Sequence, residues 1–408
     1  MFTQLRTAVK AGYPRQFWLL FIGTIISRAG SSMIWPFTMI YVSSKLELAL
    51  TATAVLLTIR SITSLAATFL AGPFADSVGR KPAMVIGVIS HALTYAGMVA
   101  ANSMTGFIVV MIFGGMFDSL FRVGVDAMLI DLIPVEKRID AYSVVRMAQN
   151  IGVATGPMIG GALIASSYEL ALFLAAGAMV LFGIILLFGT QETIAEKTSL
   201  REGLHLKAMF NGYRVVFRDS QFMVTTLLIV LATVGFSIVW TLSSLYAKQE
   251  LGIMEALYGL LPLTNASMVV FLQIFFTQWS KRYTYLQSMM IGCFVYAISI
   301  SSFAFAQNFW MLWLAFVALT CGEMFFVPSA NTYAANLAPE SMRGRYMSLF
   351  SLHWPIASGV GPLVGGLIND TLGMRAIWWG AAFFPLMAAI GYLWLYQKEK
   401  RALVQAQL

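Results

Sequence analysis

Six charged side chains fall well inside the longest apolar runs of this 408-residue chain: Arg28, Arg60, Asp118, Arg122, Asp126 and Glu323. A charge at the centre of a bilayer costs about 2.5–3.5 kcal/mol on insertion scales, so each is a functional candidate. The chemistry open to them is proton exchange and charge recognition. A carboxylate in low-dielectric surroundings can bind and release a proton. An arginine can pair with it or hold an anionic substrate group. Asp118, Arg122 and Asp126 follow at i, i+4 and i+8 and share one helix face. An internal ladder there, neutral but for one negative charge, is the structural alternative to a coupling role. Glu323 has Leu319 and Thr320 before it, and Phe326 and Val327 after it, at helical spacing; none of these can neutralise it. Arg28 can pair with Asp118, bind an anionic group or lie against lipid. His91 and His353 can relay protons or pack as hydrogen-bonded side chains.

The elements that must carry these groups are membrane helices. AVILMFWYC residues make up 59% and charged residues 11%, against roughly 25% charged in soluble domains. A soluble enzyme, a disordered chain and a nucleic-acid binder are excluded as bulk descriptions. Cys293 and Cys321 sit in apolar runs and give neither a disulfide framework nor a metal pattern. Apolar runs long enough to span a bilayer lie near 16–42, 51–72, 82–101, 106–132, 142–165, 169–189, 222–246, 256–279, 287–306, 309–335, 346–368 and 376–396. The first is too long for a cleavable signal, and no small-residue cleavage site closes it. The fold class expected is an all-α membrane protein of twelve transmembrane helices in two pseudo-symmetric six-helix halves. The halves fall at 1–190 and 222–408, with a cytoplasmic linker at 191–221. That linker carries an amphipathic piece suited to the membrane surface.

Of 26 Lys and Arg residues, Lys45, Lys248 and Arg375 fall on one side of this layout; Arg28, Arg60 and Arg122 fall inside spans; the other 20 fall on the side of the termini. The positive-inside rule therefore puts both termini in the cytoplasm. It also accounts for the net charge of +8 through topology and attraction to anionic lipid, with no nucleic-acid partner.

The halves superimpose without a gap at an offset of 205. Gly30, Ser32, Trp35 and Tyr41 map onto Gly235, Ser237, Trp240 and Tyr246. Asp118 maps onto Glu323, Pro134 onto Pro339 and Arg138 onto Arg343. Gly156-Pro157 and Gly160-Gly161 map onto Gly361-Pro362 and Gly365-Gly366. Two parallel six-helix repeats are a transporter architecture, with substrate expected near the midplane between them. Trp35 and Trp240 are candidates to line a cavity, where flat rings suit cations, or to pack. Tyr41 and Tyr246 fit an aromatic interface belt.

Between spans 2 and 3 the chain reads GPFADSVGRKP, with Gly72, Asp76, Gly79, Arg80 and Lys81. Glycines let a short loop turn sharply, and an acid beside two bases makes a charge cluster able to break and re-form. Asp131 and Arg138 fit the same cluster. Span 5 reads NIGVATGPMIGG: Gly152, Gly156, Pro157, Gly160 and Gly161. Glycines four apart let another helix approach closely, and Pro157 removes a backbone donor and bends the helix. On these residues the chain resembles the major facilitator superfamily, whose loop 2–3 signature is G-x-x-x-D-x-x-G-R-[RK]. It departs from the usual pattern at Ser77, where the family commonly carries an arginine. The span 5 motif, echoed in span 11 at Gly361 and Pro362, looks like that of bacterial drug:proton antiporters.

The resemblance implies that spans 1, 4, 7 and 10 surround a central cavity, so that Asp118 and Glu323 face it from opposite halves. It places Arg60 where a pair across the halves is expected. It also implies proton-coupled export of amphipathic or cationic drugs by rocker-switch alternating access, from a functional monomer in a bacterial inner membrane. The expected partners are a small-molecule substrate, protons and the lipid bilayer. No cofactor or metal is expected, with the proton gradient as energy source. Two alternatives stand beside this: a carrier of an anionic or sugar-like metabolite, favoured by the buried arginines, and a non-transporting membrane sensor. With no P-loop, G-x-S-x-G or H-E-x-x-H pattern, an enzyme is not expected.

Overall fold

A computed structural model describes residues 12–134, 137–194, 213–339 and 342–407. The basic residues before position 12 and most of the expected linker, 195–212, lie outside the described residues. Twelve long helices run through the rest. The first six are α1 (Arg15–Leu46), α2 (Leu50–Val78), α3 (Arg80–Ala100), α4 (Met104–Leu132), α5 (Arg138–Ile164) and α6 (Tyr168–Gly189). The second six are α7 (Ser220–Gln249), α8 (Glu255–Ser280), α9 (Tyr285–Phe303), α10 (Phe309–Leu337), α11 (Arg343–Ser351, continuing as His353–Leu372) and α12 (Ala376–Gln407). Ten have the length and hydropathy of a membrane span. The other two, α5 and α11, are the glycine-rich pair, in which small residues lower hydropathy while still suiting a transmembrane helix.

Helix starts follow from capping side chains. Ser103, Ser167, Asp219, Thr284 and Asn308 accept backbone N–H bonds at the N-termini of α4, α6, α7, α9 and α10. Four helices expected to be continuous are broken, α8 at Gly259 and α11 at Leu352 as well as α1 and α4. In α1, Trp35–Phe37 forms a 3-10 turn at Pro36, which has no N–H to donate. In α4 the break falls at Asp118 and Ser119, where the Asp118 N–H reaches back only three residues, to Gly115 O. At the far end, α12 continues well past the expected 396.

The helices divide into two compact units. The first comprises Met1–Leu48, Ile59–His205 and Met254–Ala266; the second comprises Ala49–Thr58, Leu206–Ile253 and Ser267–Leu408. The start of α8 thus belongs with the first unit and the start of α2 with the second, and these two exchanged pieces begin 205 residues apart.

The repeat persists at atomic level, each copy within its own unit. A Cβ on Gly156 would lie 2.5 Å from Ala29 O, and one on Gly361 would lie 3.1 Å from Val234 O and 3.0 Å from Ser237 Oγ. Gly161 abuts the backbone of Glu255 and Ala256, and Gly366 abuts that of Leu50 and Thr51. Gly87 approaches the backbone of Phe121, as Gly292 approaches that of Phe326. Every one of these pairs keeps the offset of 205. The seam of Gly152, Gly156 and Gly160 lies on α1, and the Ser32 hydroxyl donates across it to Gly152 O at 3.1 Å. Such interhelical bonds contribute about 0.6 kcal/mol on average in membranes. Pro157 presents its carbonyl to Gly259, so the other face of α5 seats the start of α8.

The two tyrosines obey the same repeat and correct an expectation. Tyr41 and Tyr246 are 7% and 0% exposed, not in an interface belt. Each hydroxyl donates to a carbonyl at the end of a neighbouring helix: Met98 O at 3.2 Å and Phe303 O at 2.9 Å. A phenol buried against an open carbonyl satisfies both groups, which outweighs a place in the headgroups.

Candidate functional site

Asp118 stands fourteen residues from either end of α4, and Glu323 fourteen from either end of α10. At 1.5 Å per residue each lies about 21 Å from both helix ends, at the depth of a bilayer centre. The break in α4 falls at the charged residue itself.

Two glycines bring three helices together around Asp118. A Cβ on Gly115 of α4 would lie 2.6 Å from the carbonyl of Arg60 in α2, and a Cβ on Gly87 of α3 would lie 2.6 Å from the backbone nitrogen of Phe121 in α4. The approach lets Arg60 Nη2 donate to Asp118 Oδ1 at 3.0 Å. Ser64 donates to Oδ2 at 3.3 Å, and His91 Nε2 lies 3.2 Å from Oδ1. The Asp118 side chain keeps 39% of its exposure, against 24% for Arg60 and 12% for His91, so the carboxylate is gripped without being sealed.

This geometry revises three expectations. Arg60 pairs with Asp118 inside its own unit, because Gly115 draws α4 onto α2. Arg28 does not pair with Asp118; it is half-buried, and Asp118, Arg122 and Asp126 act on it as neighbouring charges. Among the described residues no salt bridge joins Asp118, Arg122 and Asp126: the helix breaks at Asp118, and Arg122 and Asp126 act on each other only as neighbouring charges. Arg122 is exposed and Asp126 half-buried.

In the second unit, Glu323 is half-buried on α10. The adjacent Gly322 crosses α9 tightly, its Cβ position lying 2.9 Å from Gly292 O. The buried ring of Tyr296 lies within Coulombic reach of the Glu323 carboxylate. Trp240 is 7% exposed and packs on Phe236 and Phe316 at 5.8 and 6.2 Å, a packing position more than a wall of open space. Trp35 is half-buried in the 3-10 turn of α1.

A second polar cluster lies at the α2–α3 turn. Arg80 pairs with Asp76 at 3.2 Å and through Nε with Asp131 of α4 at 3.0 Å. Gly79 adopts φ +123°, a conformation that side chains rarely take, and its missing Cβ leaves the space that Glu192 fills. Glu192 accepts from the backbone N–H groups of Arg80 and Lys81 at 3.1 and 3.2 Å, capping α3 from beyond α6. Thr193 donates to Asp131 at 2.7 Å. Arg138 donates to Ile133 O and Ile130 O at the end of α4. Gly72 has open space around it. Burial pushes the Glu192 carboxyl up, but the N–H groups of Ile194, Thr193, Arg80 and Lys81 outweigh that and hold it below the usual carboxylate range. Glu192 was not evident from sequence, because nothing in its spacing ties it to the loop it caps. Among the described residues, no cluster of His, Cys, Asp and Glu could hold a metal ion.

The family model described as Major Facilitator Superfamily matches residues 20–285 and 225–407. A Na(+), Li(+), K(+)/H(+) antiporter of Planococcus maritimus is 26% identical, covering 92% of this chain and 94% of that protein. Multidrug resistance protein MdtH of Salmonella typhimurium is 24% identical over 95% of this chain and 96% of its own. The solved peptide transporter POT superimposes with a TM-score of 0.78 at 16% identity, over 94% of this chain and 95% of that one. With the twelve helices and the mid-span charges, these matches make the chain an integral membrane, cofactor-free transporter and not an enzyme: it belongs to the major facilitator superfamily.

Proposed function

We propose that this transporter is a proton-coupled antiporter that exports amphipathic or cationic compounds by alternating access. The observation that carries the reading is a carboxylate at the midpoint of α4 repeated at the midpoint of α10. A cation and a proton competing for one carboxylate is the simplest form of exchange. The names of relatives agree in chemistry: one exchanges monovalent cations for protons, another is a multidrug resistance protein. The glycine seams and the Asp76–Arg80–Asp131 cluster would serve the conformational exchange. Halves divided near 190 and 222 would move as bodies in a functional monomer. The bias of Lys and Arg puts both termini in the cytoplasm of a bacterial cell whose inner membrane holds the protein.

A second reading, a carrier of an anionic metabolite, draws on Arg28 and Arg122, which take no part in the Asp118 pair. The test is a reconstituted liposome under an imposed proton gradient. A panel of lipophilic cations, Na+, Li+, K+ and small anionic metabolites is offered in turn. Gradient-driven movement of a cation against protons supports antiport. Movement of anions alone, lost in Arg28→Ala, establishes the second reading in its place.

A further inference from the structure

His91 has an acceptor at each end of its ring. Nδ1 lies 2.9 Å from Gly87 O and Nε2 lies 3.2 Å from Asp118 Oδ1. A carbonyl oxygen only accepts, and so does an ionised carboxylate. A neutral imidazole carries a single N–H, so its second nitrogen would turn a lone pair toward an oxygen lone pair. Making both contacts hydrogen bonds takes one hydrogen more than a neutral ring and a carboxylate supply. The other contacts of Asp118 decide where it sits. Arg60 donates to the same Oδ1 at 3.0 Å and Ser64 donates to Oδ2 at 3.3 Å. Both contacts suit an ionised carboxylate, so the extra hydrogen belongs to the ring.

We infer that His91 is an imidazolium clamped between Gly87 O and Asp118, and that its Nε2 proton is the one the first unit exchanges during transport. The role in transport rests on the antiport reading; the protonation of the ring does not. When the proton leaves, the electron pair stays on Nε2 and faces Oδ1, and the cluster of Arg60, Asp118 and His91 drops from one net positive charge to none. The α3 contact then weakens while the α2 contact through Arg60 persists. Other groups near the ring are few. Tyr95, one turn along α3, is 3% exposed. Arg122 and Asp126 lie one and two turns beyond Asp118 on α4, and Arg28 of α1 acts on Asp118 from a distance. Helix α6, which packs along α3, carries ionisable residues only at its start, Tyr168 and Glu169.

The test uses the full chain, labelled with nitrogen-15 histidine, in lipid nanodiscs. The signals of His91, His205 and His353 are assigned by single His→Gln substitutions. Hydrogens on both ring nitrogens of His91 near neutral pH are expected. In Asp118→Asn the carboxamide can donate to Nε2, and the ring should fall to one N–H. A neutral His91 ring in the wild type overturns the inference. In proteoliposomes, His91→Gln should lose gradient-driven flux and keep substrate counterflow. Full driven flux in that variant removes the transport role while leaving antiport intact. Absence of driven flux in the wild type defeats the antiport reading, whatever the state of the ring.

Discussion

Asp118 and Glu323 occupy the same point of the repeat, yet the positions around them have diverged. Arg60, Ser64 and His91 meet the Asp118 carboxylate. The positions 205 residues later hold Asn265, Val269 and Tyr296, none of them a cation. The scaffold itself did not diverge: Gly87 and Gly292 approach α4 and α10 in the same way, and Tyr41 and Tyr246 donate to equivalent carbonyls. Packing was kept while charge was changed. In the first unit the carboxylate is paired with Arg60, and on the proposal above its exchangeable proton would ride on His91. On the same proposal the Glu323 carboxylate would itself be the group that gains and loses charge in the second unit. Two mid-membrane acids in one transporter thus need not do the same work.

The largest expected break in this comparison comes from stability. Asp118→Ala leaves Arg60 without its counter-ion, and breaking a buried pair costs about 3–5 kcal/mol, here toward the lower end because the side chain keeps 39% exposure. Thermal unfolding in detergent should show that loss for Asp118→Ala and a much smaller one for Glu323→Gln. The double change Asp118→Leu with Arg60→Met should recover most of it. Equal losses for Asp118→Ala and Glu323→Gln would erase the contrast.

The glycine seams give a smaller effect that sharpens the comparison. Gly156→Ala drives a Cβ to 2.5 Å from Ala29 O, whereas Gly361→Ala meets its closest neighbour at 3.0 Å. Overpacking costs about 1–3 kcal/mol, so Gly156→Ala should lower the unfolding midpoint more than Gly361→Ala. The reverse order would show that the repeat seams are not packed as described.

The smallest effect concerns the α2–α3 turn. The Glu192 carboxyl is held below its ordinary range in the folded chain. Its contribution is therefore present above the unfolded carboxylate value and is lost as pH falls through the folded one. Glu192→Gln should lower the unfolding midpoint near neutrality and converge on wild type at low pH, so that the variant loses part of the acid limb of the profile. A change at neutral pH equal to that at low pH would contradict the ionised cap.

Much of this was readable in the chain because hydropathy and repetition are properties of sequence. The twelve spans, the offset of 205 and the seam glycines come directly from residue type and spacing. Partners did not. The resemblance places Arg60 at a bridge between halves, and a span number says nothing of which way a side chain points. What turns it to Asp118 is Gly115, a glycine outside any motif. The break in α4 carries no proline, so no local rule announces it. Glu192 reaches the α3 N-terminus through the fold alone. Interface-belt tyrosines and buried hydrogen-bonded ones share the same sequence pattern, so the burial of Tyr41 and Tyr246 is not legible in the chain.

The most direct test of the two-carboxylate account is gradient-driven transport of a lipophilic cation in proteoliposomes by wild type and Glu323→Gln, with counterflow exchange measured on the same preparations. The account predicts that Glu323→Gln loses driven transport and retains counterflow, because binding and alternation survive while the charge change in the second unit does not. Driven transport at the wild-type rate in Glu323→Gln would contradict it.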